Sequence, residues 1–145
     1  MFQRILVVCT GNICRSPVAE AMLRQALPGK QLSSAGLGAV VGYGVEPTAR
    51  ELAEADGLDV SYHVARQITP EMLQAADLIL VMSDGQRRAV ADLAPAALGK
   101  TMTLGKWLDD GKGRDIPDPF RKSREAFEHV HRLLQQATDE WAKRL

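Results

Sequence analysis

Little in this chain marks it for secretion, for a membrane or for nucleic acid. It has two cysteines in 145 residues, Cys9 and Cys14, five positions apart. A secreted disulfide framework would need more, spread along the chain. Eighteen basic residues balance eighteen acidic ones, which argues against a general nucleic-acid or membrane-surface binder. No apolar run approaches the ~20 residues needed to span a bilayer. The start, MFQRILVVCTGN, has neither a signal peptide's longer apolar stretch nor its small-residue cleavage site. These absences imply a cytoplasmic protein without membrane insertion. Aromatics are sparse at 5 %.

What is present is an ordinary globular mixture, 46 % hydrophobic and 25 % charged, with the length of one domain. We therefore expect residues 1–145 to form a single domain. The run RILVV at 4–8 suits a buried strand. Ser16 followed by Pro17 predicts a helix start, with the hydroxyl as N-cap, and Pro28-Gly29 predicts its end. Residues 32–35 are a weaker strand candidate, and four glycines between 36 and 44 predict a mobile loop. Helices are expected over 47–56, 70–76 and 84–93, and strands over 77–82 and 101–104. A long loop follows at 109–119, then a final helix capped by Ser123 with an apolar stripe through Phe127, Val130, Leu134, Ala137 and Trp141. This alternation predicts an α/β domain: doubly wound, with a four-stranded parallel sheet and helices on both faces. In such sheets ligands bind beyond the carboxyl ends of the strands, where Cys9 stands. Asp118 follows the last strand and can reach the same edge.

The segment Cys9-Thr10-Gly11-Asn12-Ile13-Cys14-Arg15-Ser16 joins the first strand to its helix. A loop of this kind can turn its backbone N–H groups inward as a nest for a tetrahedral anion. The helix start adds further free N–H groups. Arg15 can offer two donors to two phosphate oxygens. A thiol at the floor of that cradle would be pushed toward the reactive thiolate, and the Ser16 hydroxyl could donate to its sulfur. Two buried thiols in a glycine-containing turn are the bland alternative. The joint occurrence of strand, Cys-x5-Arg-Ser and proline-started helix weighs against it.

Other motifs carry less. Leu98-Gly99-Lys100-Thr101 lacks the first glycine of a nucleotide-binding loop and precedes its strand. His129 and His131 lie two apart on a helix and do not face the same way, so no metal pair is expected there.

The segment CTGNICRSP resembles the signature of the low-molecular-weight protein tyrosine phosphatases. The resemblance extends over nearly the whole chain. Ser34-Ala35-Gly36 is similar to that family's serine segment, His63-Val64-Ala65-Arg66-Gln67 to its HxARQ segment, and Asp118-Pro119-Phe120 to its acid loop. The run IPDPFRKSREAFE resembles the bacterial Wzb-type members, which serve exopolysaccharide and capsule systems.

The resemblance implies that Cys9 attacks phosphorus while Arg15 and the loop amides hold the phosphoryl oxygens. It implies that Ser16 supports the thiolate, that Asn12 holds the strained loop through Ser34 and His63, and that Asp118 is the general acid. Ile13, Phe120 and Tyr43 would line the slot for the substrate ring. No metal or cofactor is implied. Phosphate, vanadate or sulfate would occupy the loop of a monomer, and the substrate would be a phosphotyrosine protein, a tyrosine autokinase among them. Cys14 either packs beneath the loop or forms a reversible disulfide with Cys9.

Three rival readings remain. A thioredoxin-linked arsenate reductase of this fold would need two further cysteines downstream, and none follows Cys14. A protein-arginine phosphatase resembles this loop but carries Thr where this chain has Ile13. A non-catalytic phosphoprotein-binding module would have no need of Cys9 and Asp118.

Overall fold

The computed structural model describes residues 2–145. The first strand, β1 (Arg4–Cys9), is buried from Ile5 to Cys9 because helices cover the sheet on both sides. Alternate residues face opposite ways along a strand, and the core divides accordingly. Ile5 and Val7 join Leu78, Leu80 and Met82 on one face. Leu6 and Val8 join Ile79 and Val81 on the other.

The chain continues as α1 (Arg15–Ala26), β2 (Gln31–Gly36), α2 (Pro47–Ala55), α3 (Pro70–Ala75), β3 (Leu78–Val81), α4 (Asp84–Leu93), β4 (Thr101–Thr103) and α5 (Arg124–Ala142). All strand pairs are parallel, in the order β2-β1-β3-β4. Residues of α1, α2 and α5 cover the first face, and residues of α3 and α4 the second. The chain leaves β1 toward β2 on one side and later returns to β3 on the other. The carboxyl ends of β1 and β3 therefore flank a topological switch point, where open α/β sheets bind their ligands.

Three local expectations need correcting. The segments Pro95–Lys100 and Leu104–Trp107 are 3₁₀ turns, so Leu104 lies outside the strand, with its carbonyl accepting from Trp141 Nε1 at 2.8 Å. Ser16 is not the N-cap of α1. The helix begins at Arg15 after Cys14, with no side-chain cap, because the Ser16 hydroxyl is engaged by the loop it follows. The glycine segment 36–44 is not free. Leu37, Gly38 and Val40 donate their N–H groups to the carbonyls of Cys9, Thr10 and Gly11. Ser123 does cap α5, accepting from Ala126 N. Among the described residues no helix is long and apolar enough to cross a membrane.

Candidate active site

The cradle's shape follows from where its carbonyls go. Those of Cys9, Thr10 and Gly11 accept from the 37–40 segment at 2.9–3.0 Å, and that of Ile13 accepts from Glu46 N at 2.8 Å. The Asn12 carbonyl accepts from His63 Nε2 at 2.6 Å. Five successive carbonyls are thus directed outward. In a trans peptide the N–H opposes the carbonyl, so the amides of residues 10 to 14 turn toward the interior of the loop. Asn12 N reaches Cys9 Sγ at 3.3 Å.

Asn12 is fully buried and carries the loop's left-handed turn at φ 58°. Its Nδ2 donates to Ser16 Oγ at 2.8 Å and to Ser34 Oγ at 3.0 Å, and its Oδ1 accepts from Arg66 N at 3.0 Å. Because Asn12 fills the acceptor side of the Ser16 hydroxyl, the Ser16 proton is free to point at Cys9 Sγ, 2.9 Å away. Two donors thus converge on the sulfur.

Arg15 is 5 % exposed. Its Nη1 donates to the Ile116 carbonyl at 2.8 Å, and its Nη2 lies 3.8 Å from Asp118 Oδ2. Its Nε is buried with no hydrogen-bond partner. A buried charged donor without an acceptor is costly. The edge formed by Nε and Nη2 suits two oxygens of a tetrahedral anion. Together the inward amides and this open guanidinium edge fit phosphate or sulfate.

A cavity of about 210 Å³ opens here, lined by Cys9, Thr10, Gly11, Ile13, Cys14, Arg15, Gly38, Val40, Asp118 and Phe120. Ile13 and Phe120 are part of its wall. Tyr43 is not: it is 65 % exposed, and Val40 with Gly38 stands where Tyr43 was expected. The reason is that Val40 N is tied to the loop through Gly11 O, which draws Val40 inward. Nothing in the sequence singled out Val40, since it lies in loop with no periodicity to place it.

Asp118 is half exposed at the mouth, its Oδ1 accepting from Phe120 N at 3.1 Å. Cys14 lines the same pocket, but burial, reinforced by the charges of Glu46, Cys9 and Asp118, pushes its thiol up to about 12 against the pull of Arg15. Cys14 is therefore a neutral thiol at physiological pH. Among the described residues no group of three or more His, Cys, Asp or Glu gathers as metal ligands.

Fold and site together define a parallel α/β domain with an anion-binding loop and a cysteine at its floor. The model of one family, low molecular weight phosphotyrosine protein phosphatase, matches residues 4–145. The chain is 47 % identical over 144 residues to the low molecular weight protein-tyrosine-phosphatase Etp of Escherichia coli K12, covering 99 % of this chain and 95 % of that protein. The crystal structure of the tyrosine phosphatase Wzb from Escherichia coli K30 in complex with sulphate superposes with a TM-score of 0.95 at 45 % identity, covering 99 % of each chain. Vibrio vulnificus Wzb in complex with benzylphosphonate also gives 0.95, at 43 % identity over the full length of both chains. The chain belongs to the low-molecular-weight phosphotyrosine protein phosphatase family. Within it, it is a protein-tyrosine-phosphatase of the Wzb and Etp type.

Proposed function

We propose that the enzyme hydrolyses protein phosphotyrosine through a phosphocysteine intermediate on Cys9, with Asp118 as proton donor and acceptor. The observation that carries this reading is the buried Arg15 guanidinium, its Nε without a partner, beside a sulfur held by two donors. The loop amides and Arg15 hold the phosphoryl oxygens and stabilise charge without reorganising during transfer. The Cys9 thiolate attacks phosphorus, forming the S–P bond as the P–O bond to the ring breaks. Asp118 gives its proton to the departing phenolate. Water then attacks the phosphocysteine and loses a proton to the Asp118 carboxylate. Orthophosphate forms and the sulfur leaves again as thiolate, with Ser16 donating to it.

Ile13 and Phe120 lie on the wall where the ring of the substrate would sit, and their apolar surfaces suit a phenyl group. The benzylphosphonate on the Vibrio relative is a ligand of that shape. The likeness to Wzb proteins and to EpsP of Ralstonia solanacearum supports placing the enzyme in exopolysaccharide production, in the cytoplasm, with a tyrosine autokinase as its substrate.

Two variants test the chemistry. Cys9→Ser is expected to abolish turnover of a phosphotyrosine peptide while inorganic phosphate still binds; an active Cys9→Ser enzyme overturns the nucleophile. Asp118→Asn is expected to slow aryl phosphate turnover at least tenfold, within the ~10²–10⁴ that acid catalysis supplies; an unchanged rate overturns the acid. Faster turnover of a phosphoarginine peptide than of its phosphotyrosine counterpart would overturn the substrate.

A further inference from the structure

Gln86 lies in α4, outside the cavity, and is 8 % exposed. Its side chain uses both ends of the amide. Oε1 accepts from Met82 N at 2.8 Å, and Nε2 donates to Thr10 Oγ1 at 3.2 Å, across 76 positions of sequence. Thr10 follows Cys9 directly and lines the pocket. Met82, at the carboxyl end of β3, also accepts from Ile116 N at 2.8 Å. The Ile116 carbonyl in turn accepts from Arg15 Nη1 at 2.8 Å. These bonds close a circuit that leaves the cradle at Thr10, crosses Gln86 and Met82, enters the acid loop at Ile116 and returns to the cradle at Arg15. Asp118 is two residues beyond Ile116.

We infer that Gln86 is a positioning residue for proton transfer, setting the separation between the cradle and the loop that carries Asp118. The inference rests on the reading of Asp118 as proton donor. A residue needed only to satisfy Met82 N could be any acceptor. Beside Thr10 the amide offers a donor as well, so one neutral side chain spans both partners. Glutamate keeps the acceptor but adds a buried negative charge beside the anion site. Methionine, of similar shape, removes both bonds. Methionine opens the circuit between Thr10 and Met82, leaving the acid loop held by its own bonds to Met82, Arg15 and Asp84. Small displacements of a catalytic group are costly because transfer depends on near-contact geometry.

The test measures kcat and KM for phenyl phosphate in wild type, Gln86→Met, Asp118→Asn and the double variant, with p-nitrophenyl phosphate in parallel. Phenol leaves poorly and needs the proton; p-nitrophenol needs it far less. Gln86→Met is expected to lower kcat/KM for phenyl phosphate about tenfold, with less loss of kcat/KM on p-nitrophenyl phosphate, because kcat/KM reports transfer to Cys9 and not the hydrolysis common to both substrates. In the Asp118→Asn background the same change is expected to cost less than about twofold, because the group it positions is already gone. Thr10→Val opens the circuit at its exposed end without touching Met82. It is expected to act in the same direction, and it carries the test if Gln86→Met does not fold. Equal losses of kcat/KM on both substrates, or equal losses with and without Asp118, would overturn the inference. An Asp118→Asn enzyme as fast as wild type would instead overturn the reading of the acid.

Discussion

Asn12 shows how much one side chain can hold. It supplies the left-handed backbone at φ 58° and bonds to Ser16, Ser34 and Arg66. Asn12→Gly keeps that conformation accessible but deletes the side-chain bonds. Asn12→Ala deletes them too and keeps a Cβ without the polar group that makes the left-handed turn tolerable, which disfavours it by about 1 kcal/mol relative to Gly. Both variants are expected to lose about 1–3 kcal/mol of stability, with Ala the worse. That order reverses the usual preference for Ala over Gly, and urea unfolding checks it. Cys14 gives a second outcome. Its thiol, held at about 12 when folded, ionises near 8.5 in an unfolded chain. The folded state keeps the proton where the unfolded state has lost it. Cys14 therefore favours folding fully below about pH 8.5, and that contribution falls away as pH rises toward 12. Cys14→Ala is expected to flatten the decline in urea midpoint between about pH 9 and 11. An identical decline in both proteins would show that the buried thiol does not govern it. The sequence marked Asn12 and Cys14 through a local motif. It could not mark Gln86 or Val40, whose places are set by partners far along the chain.

At the scale of elements, the runs that read most clearly were those whose burial is dictated locally. Ile5 to Val8 and Leu78 to Val81 are continuous apolar segments with a covered face on each side. The helix at α5 showed its stripe because only one side is buried. Ser16 misled for a physical reason. A hydroxyl before proline reads as a cap, but the sulfur seven residues earlier and the Asn12 amide compete for it and win. The 3₁₀ turns carried no periodic signal. The junction of β2 with the cradle was marked only by the resemblance of Ser34-Ala35-Gly36, with no physical signal of how tightly it is fitted. A Cβ on Gly36 would stand 2.5 Å from the Thr10 carbonyl and 3.1 Å from Ala39. Thr10 O is the acceptor for Gly38 N, so the backbone on both sides would have to move. Gly36→Ala is expected to cost about 1–3 kcal/mol and to lower turnover by distorting the ring of amides. Thermal unfolding and a turnover assay check this together. A variant as stable and as fast as wild type would mean that the junction has room the close packing denies.

Across the whole molecule, the switch point between β1 and β3 joins folding to anion binding. The amides and Arg15 come from near the start of the chain and the acid loop from residues 116–120, so the site exists only when the sheet and that loop are assembled. An anion that binds this assembly must oppose its unfolding. Inorganic phosphate at about one hundred times its dissociation constant adds about 2.7 kcal/mol to the unfolding free energy. For a domain of this size that corresponds to roughly 5–10 °C in melting temperature. Arg15 should account for much of the shift, because its Nε has no partner without an anion. Arg15→Lys preserves the charge but loses the planar fork and the geometry of the bond to Ile116. The variant is expected to melt lower without phosphate and to gain only a small part of the wild-type shift at the same phosphate concentration. Differential scanning calorimetry with and without phosphate separates the two effects. A full shift in Arg15→Lys would assign anion recognition to the amides alone and leave the unpartnered guanidinium edge without a role.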